Sequence, residues 1–155
     1  MSQFFVDSSA LVKRYVTEVG TPWMQALADP VTGNTLVSAA ITRVEVAAAL
    51  ASRHRASGGL SLAERDGAVA LLERHCTTEY VLIPIDTPVL DRALTLTQRH
   101  RLRGYDAVQL ATALAVNDSY LVAGLLPLTF LSADRGLLNA ALAEGLIVAD
   151  PNAHP

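Results

Sequence analysis

A chain of 155 residues, 51% apolar and 17% charged, is long enough for one cored domain and too apolar to stay disordered. Its formal net charge of −3 excludes nucleic-acid binding by bulk positive charge, while leaving room for a local basic patch. A lone cysteine, Cys76, excludes a disulfide framework and a cysteine-based zinc site, and the spacing of His54, His75, His100 and His154 excludes an HExxH helix.

The elements alternate from the start. Phe4–Val6 reads as a buried strand, and Asp7 hands it over to a helix spanning Ser9–Thr17. Thr21-Pro22 opens a second helix, Pro22–Ala28, with proline at its first position. A strand at Thr35–Ser38 precedes a helix over Thr42–Arg55, which Ser57-Gly58-Gly59 closes. Ser61 then starts Leu62–Cys76. Strand Tyr80–Ile85 leads to helices Pro88–Arg101 and Asp106–Val116, separated by Gly104. Strand Leu128–Ser132, helix Arg135–Glu144 with Gly145 at its end, and strand Leu146–Val148 complete the series. Residues 1–150 form one domain in this reading and 151–155 a C-terminal tail. No basic segment followed by a long apolar stretch opens the chain, and the run from Ser119 to Ala133 is broken by Gly124 and Pro127. A soluble, cytoplasmic protein without membrane contact is expected.

Strands separated by helices predict an α/β fold with a mostly parallel sheet, whose sites form beyond the carboxyl ends of the strands. Three acids follow the ends of strands one, two and four, namely Asp7, Glu45 and Asp134, and a fourth, Asp106, joins them from its helix start. Each has a plain structural use. Asp7 and Asp134 suit helix N-caps, Thr42-Arg43-Val44-Glu45 fits a capping box, and Asp106-Ala107-Val108-Gln109 fits its acid-capped variant. Together they mean more, because four carboxylates brought to one sheet edge repel one another unless a cation joins them. Hard divalent cations take oxygen ligands, and such a site suits phosphodiester hydrolysis by an activated water. The chain offers no GxSxG elbow, no cysteine–histidine arrangement and no GxxxxGK[ST] loop.

The fragments "FVDSSALVKRYVTE", "RVEVAAAL", "LRGYDAVQLATAL" and "FLSADRGLLNAAL" resemble, in order and spacing, the four motif regions of PIN-domain ribonucleases, and above all the VapC-type toxins of toxin–antitoxin pairs. The resemblance implies a three-layer PIN-like fold with about five parallel strands, a Mg²⁺ or Mn²⁺ cofactor and RNA cleavage. It places Asp7, Glu45, Asp106 and Asp134 as catalytic and metal-binding residues, with Ser8 and Ser132 as hydroxyls supporting the site. It also implies a homodimer and a cognate antitoxin. Some relatives carry a further acid after the fourth one. Here Arg135, Gly136 and Leu137 follow Asp134, so one protein-bound cation is expected, with another arriving on the substrate.

An acidic pocket needs nearby positive charge to hold RNA, whether tRNA or another structured RNA. Arg99, Arg101 and Arg103 precede Asp106, Arg135 adjoins Asp134, and Tyr105 is available for stacking. Lys13 and Arg14 lie on the first helix, where either could pair with a site carboxylate and one is expected to face solvent. Trp23 and Met24 are expected in the core. Two other readings compete: a non-catalytic PIN-like module that binds RNA or protein, and a metal-dependent phosphatase. The phosphatase pattern wants a second aspartate at position 9, where Ser9 stands.

Overall fold

The computed structural model describes residues 1–154. Five strands form one sheet in the order β3-β2-β1-β4-β5, where β1 is Gln3–Val6, β2 Thr35–Ala39, β3 Tyr80–Ile83, β4 Thr129–Leu131 and β5 Ile147–Ala149. Every neighbouring pair is parallel, with Phe5 opposite Val37 on one side and Phe130 on the other. Successive residues of these strands point to opposite faces. Phe5, Val37 and Phe130 join the core under one helical layer, whereas Val6, Leu36 and Leu131 join the core under the other. The two central phenylalanine rings, Phe5 and Phe130, stack with centroids 5.8 Å apart.

Helices α1 (Ser8–Leu11), α2 (Thr21–Leu27), α3 (Thr42–Arg55) and α4 (Leu62–Thr78) belong to one layer. Helices α5 (Thr87–Arg99), α6 (Gly104–Val122) and α7 (Arg135–Ala143) belong to the other. The result is the expected α/β architecture in three layers, with seven α-helices among the described residues. No helix of the described residues is long and apolar enough to cross a membrane.

Because the strands run one way, their carboxyl ends share an edge. Chain order reverses at β1, with β2 to one side and β4 to the other, and clefts form at such a switch point.

Three local expectations change. The first helix is not continuous to Thr17: four α-helical residues tighten into a 3₁₀ turn, Val12–Arg14. That turn buries Lys13, whose Nζ donates to Glu18 Oε1 at 3.1 Å and to the Val19 carbonyl at 2.9 Å. Arg14 is half-buried and donates to Tyr80 Oη, Glu79 and the Ala28 carbonyl. Neither basic group reaches a site carboxylate, and neither is left to solvent. Helix α6 runs to Val122, because the polar Asn117-Asp118-Ser119 that reads as a loop finds partners. Asn117 Oδ1 accepts from the Leu128 amide at 3.1 Å, and Asp118 pairs with Arg92 on α5 at 2.7 Å. Met24 is fully buried as expected, while Trp23 is half-buried and stacks on His154 at 4.3 Å between ring centroids. Pro151–Ala153 form a short 3₁₀ turn beside it.

Candidate active site

A solvent-open cleft of about 510 Å³ at the carboxyl edge is lined by Asp7, Ser8, Ser9, Glu45, Arg103, Tyr105, Asp106 and Asp134. All four acids singled out in the sequence line it. They come from the end of β1, the first turn of α3, the first turn of α6 and the start of α7. Helix N-termini carry partial positive charge and favour carboxylates there.

The capping roles divide these acids two and two. Asp7 Oδ1 accepts the Ala10 amide at 3.0 Å and Asp134 Oδ1 accepts the Leu137 amide at 3.0 Å, so both are N-caps. Glu45 and Asp106 cap nothing. Helix α3 starts from Ile41 and α6 from Arg103, neither with a side-chain cap, so both capping boxes read from the sequence are absent. Glu45 Oε2 accepts from Ser8 Oγ at 2.9 Å and Oε1 from Gln109 Nε2 at 2.8 Å. Asp106 faces Arg103, whose Nε donates to Oδ2 at 3.2 Å.

Asp7 is the most enclosed of the four, at 2% exposure. Ser9 Oγ lies 2.8 and 3.0 Å from its two oxygens, and Ser132 Oγ donates to Oδ2 at 3.0 Å. The same hydroxyls bridge to β4: Ser9 Oγ accepts the Ala133 amide at 2.9 Å and Ser132 Oγ the Asp134 amide at 3.0 Å. Two serines thus sew β1 to β4 across the switch point and fix Asp7 relative to Asp134. Burial nevertheless outweighs these donors, and with Glu45 nearby it pushes the Asp7 carboxyl up to about 7.

Ser132 stands beside Asp7 as the sequence suggests, whereas Ser8 serves Glu45. Ser9, Gln109 and Thr42 were not singled out. Ser9 follows Asp7 by two residues, at a spacing where a hydroxyl folds back on a capping carboxylate. Gln109 was visible as a lone long polar side chain inside the apolar run of α6.

The arginines scatter more. Arg103 lines the cleft with its side chain 84% exposed. Arg101 is exposed in the loop before it, and Arg135 is exposed on the first residue of α7 beside Asp134. Arg99 turns to Glu144, 3.5 Å away. Glu144 ends α7, roughly 15 Å along that helix from Asp134 at 1.5 Å per residue.

Four carboxylates therefore face one cleft, against one lining guanidinium that is itself mostly in water. The donor set is all oxygen, as Mg²⁺ and Mn²⁺ prefer. Among the described residues, no group of three or more acidic, histidine or cysteine side chains is gathered closely enough to hold a metal ion. The residue types, not gathered into a preformed cage, would suit a hard cation that keeps part of its shell as water.

The PIN domain family matches residues 4–143. This chain belongs to that family. Ribonuclease VapC45 of Mycobacterium tuberculosis (strain CDC 1551 / Oshkosh) is similar over the full length of both chains, 34% identical across 164 aligned positions. Among solved structures, Mycobacterium tuberculosis VapC20, a sarcin-ricin loop cleaving toxin, superposes with a TM-score of 0.61 at 14% identity, covering 98% of this chain and 99% of that one. A toxin–antitoxin complex from Klebsiella pneumoniae gives 0.54 at 18% identity, covering 97% and 98%. At such identities the likeness is one of fold. All four acids fall inside the PIN match.

Proposed function

We propose that this PIN domain is a divalent-metal-dependent endoribonuclease, the toxin of a type II toxin–antitoxin module, acting in the cytoplasm. One observation carries the reading: Asp7, Glu45, Asp106 and Asp134 line one cleft with almost no counter-charge. The full-length similarity to a protein named a VapC ribonuclease supports the substrate class and the toxin role. The toxin–antitoxin complex among the structural neighbours supports an antitoxin partner. A homodimer follows from the family resemblance alone.

Asp7, Asp106, Asp134 and Glu45 would hold Mg²⁺ or Mn²⁺, which supplies charge to offset the phosphoryl oxygens and makes an attacking water more acidic. The protein's own groups do the rest. Ser9 and Ser132 keep Asp7 oriented and tied to Asp134. Arg103 and Tyr105, which line the cleft, would hold a phosphate and stack on a base, with the exposed Arg101 and Arg135 as further basic groups. Cleavage of a mixed RNA pool by purified wild type and Asp106→Asn, with Mn²⁺ and with EDTA, tests the assignment. Cutting that needs both Mn²⁺ and Asp106 supports it. Cutting that persists in EDTA contradicts the metal role, and none under any condition favours a binding module.

A further inference from the structure

Gln109 is 1% exposed in the middle of the apolar face of α6. Its amide nitrogen donates to Glu45 Oε1 and to Thr42 Oγ1, both at 2.8 Å, so it spans from α6 to the first turn of α3. Its carbonyl oxygen is buried with no partner at all. A buried amide that leaves its acceptor unsatisfied costs folding energy. An apolar side chain of the same length would fill this position without that cost. What the amide adds, and an apolar chain lacks, is a donor aimed at a cleft carboxylate.

Glu45 needs one. It is half-buried in the first turn of α3, at the wall of the cleft. Ser8 Oγ takes one oxygen at 2.9 Å and Gln109 the other at 2.8 Å. Each oxygen keeps a free lone pair facing the cleft. Asp7 is held differently, by β1, Ser9 and Ser132, with no contribution from Gln109.

We infer that Gln109 is a positioning residue, which clamps Glu45 against Ser8 so that its carboxylate is presented to the cation before the cation arrives. The inference rests on the proposed metal role of the cleft. Partners behind metal ligands typically change affinity by about 10- to 100-fold.

Gln109→Met keeps length and apolar packing and removes the donor. In metal-free crystals of this variant Glu45 should leave Ser8 while Asp7 stays in place, and the thermal transition in EDTA should be unchanged or higher. By calorimetry its Mn²⁺ dissociation constant should rise about 10-fold, against less than about twofold for Thr42→Val, which spares the bond to Glu45. Gln109→Leu, which also removes the donor and cannot regain one by taking up a proton, should displace Glu45 in the same way and serves if the methionine variant does not fold. A Glu45 that stays on Ser8, an unchanged Mn²⁺ affinity, or an equal loss in Thr42→Val would overturn the inference. Should wild type bind no Mn²⁺ and cut no RNA, the metal reading falls separately, and the position of Glu45 in the metal-free crystals decides whether Gln109 anchors it.

Discussion

Two of the polar networks set into this apolar protein differ in how they are closed. The first joins Arg14, Tyr15, His75, Glu79 and Tyr80, where α4 and β3 meet the 3₁₀ turn after α1. Arg14 pairs with Glu79 at 2.7 Å and donates to Tyr80 Oη at 2.6 Å. Tyr15 Oη contacts both Tyr80 Oη at 2.6 Å and His75 Nδ1 at 2.9 Å. One cation meets one anion, and burial together with Arg14 keeps His75 below its ordinary pKa and so neutral. The second network is the cleft, where four carboxylates share one exposed guanidinium. The closed network pairs its charges within the fold, whereas the open one gathers carboxylates whose charge a proton or an added cation would offset. Charge balance, more than polarity or burial, separates structure from chemistry here.

The sharpest way to break this comparison is to remove a carboxylate from the open side. Asp106→Asn should lower metal-dependent RNA cleavage by about 1000-fold, the equivalent of several kcal/mol at 1.36 kcal/mol per tenfold, with circular dichroism unchanged. Cleavage within tenfold of wild type would remove Asp106 from the site.

Stability should move the other way. The Asp7 carboxyl is raised to about 7 in the folded protein from an ordinary value of 3.8, so the folded state binds the proton more tightly than the unfolded one. In EDTA, the contribution of Asp7 to wild-type stability is therefore greatest below pH 4, declines as pH rises through 7, and levels off above it. Asp7→Asn should lack this decline and be more stable than wild type at pH 8, by about 2 to 4 kcal/mol in urea melts. The two profiles running parallel would show that Asp7 ionises without strain.

The closed network should behave in the opposite sense. Arg14→Ala strips a half-buried carboxylate and a tyrosine hydroxyl of their partner and should cost about 2 kcal/mol of stability, discounted for partial exposure, while cleavage per folded molecule stays at the wild-type rate. The smallest effect belongs to the rim. Arg103→Ala should weaken RNA binding a few-fold and reduce the slope of log affinity against log salt by about 1, measured by fluorescence anisotropy at several salt concentrations.

Much of this was legible in the residues. Short β-branched and aromatic runs separated by capped, periodic helices identify the five strands, and parallel topology then sends residues after β1, β2 and β4 to one edge. Asp7, Glu45 and Asp134 line the cleft for that reason, and Asp106 joins them from the first turn of α6. What stayed hidden depends on tertiary partners. One of Lys13 and Arg14 was expected in solvent because nothing local announces that Glu18 and the Val19 carbonyl will enclose Lys13 or that Glu79 and Tyr80 will take Arg14. Asn117 looked like a loop residue because its partner, the Leu128 amide, lies across a turn. The boxes at Thr42–Glu45 and Asp106–Gln109 were sound locally, yet Glu45 found Ser8 and Gln109 from other elements. Arg99 was grouped with its neighbours by sequence, and α7 drew it toward Glu144.

The most direct measurement is a titration of Mn²⁺ into the metal-free protein at pH 8, followed by calorimetry and by thermal melting. The account predicts saturable binding to wild type, a rise in its transition temperature, and loss of both in Asp7→Asn. A wild type that binds no Mn²⁺, or an Asp7→Asn variant that binds it as tightly, would contradict the claim that the cleft's unbalanced charge is there to hold a cation.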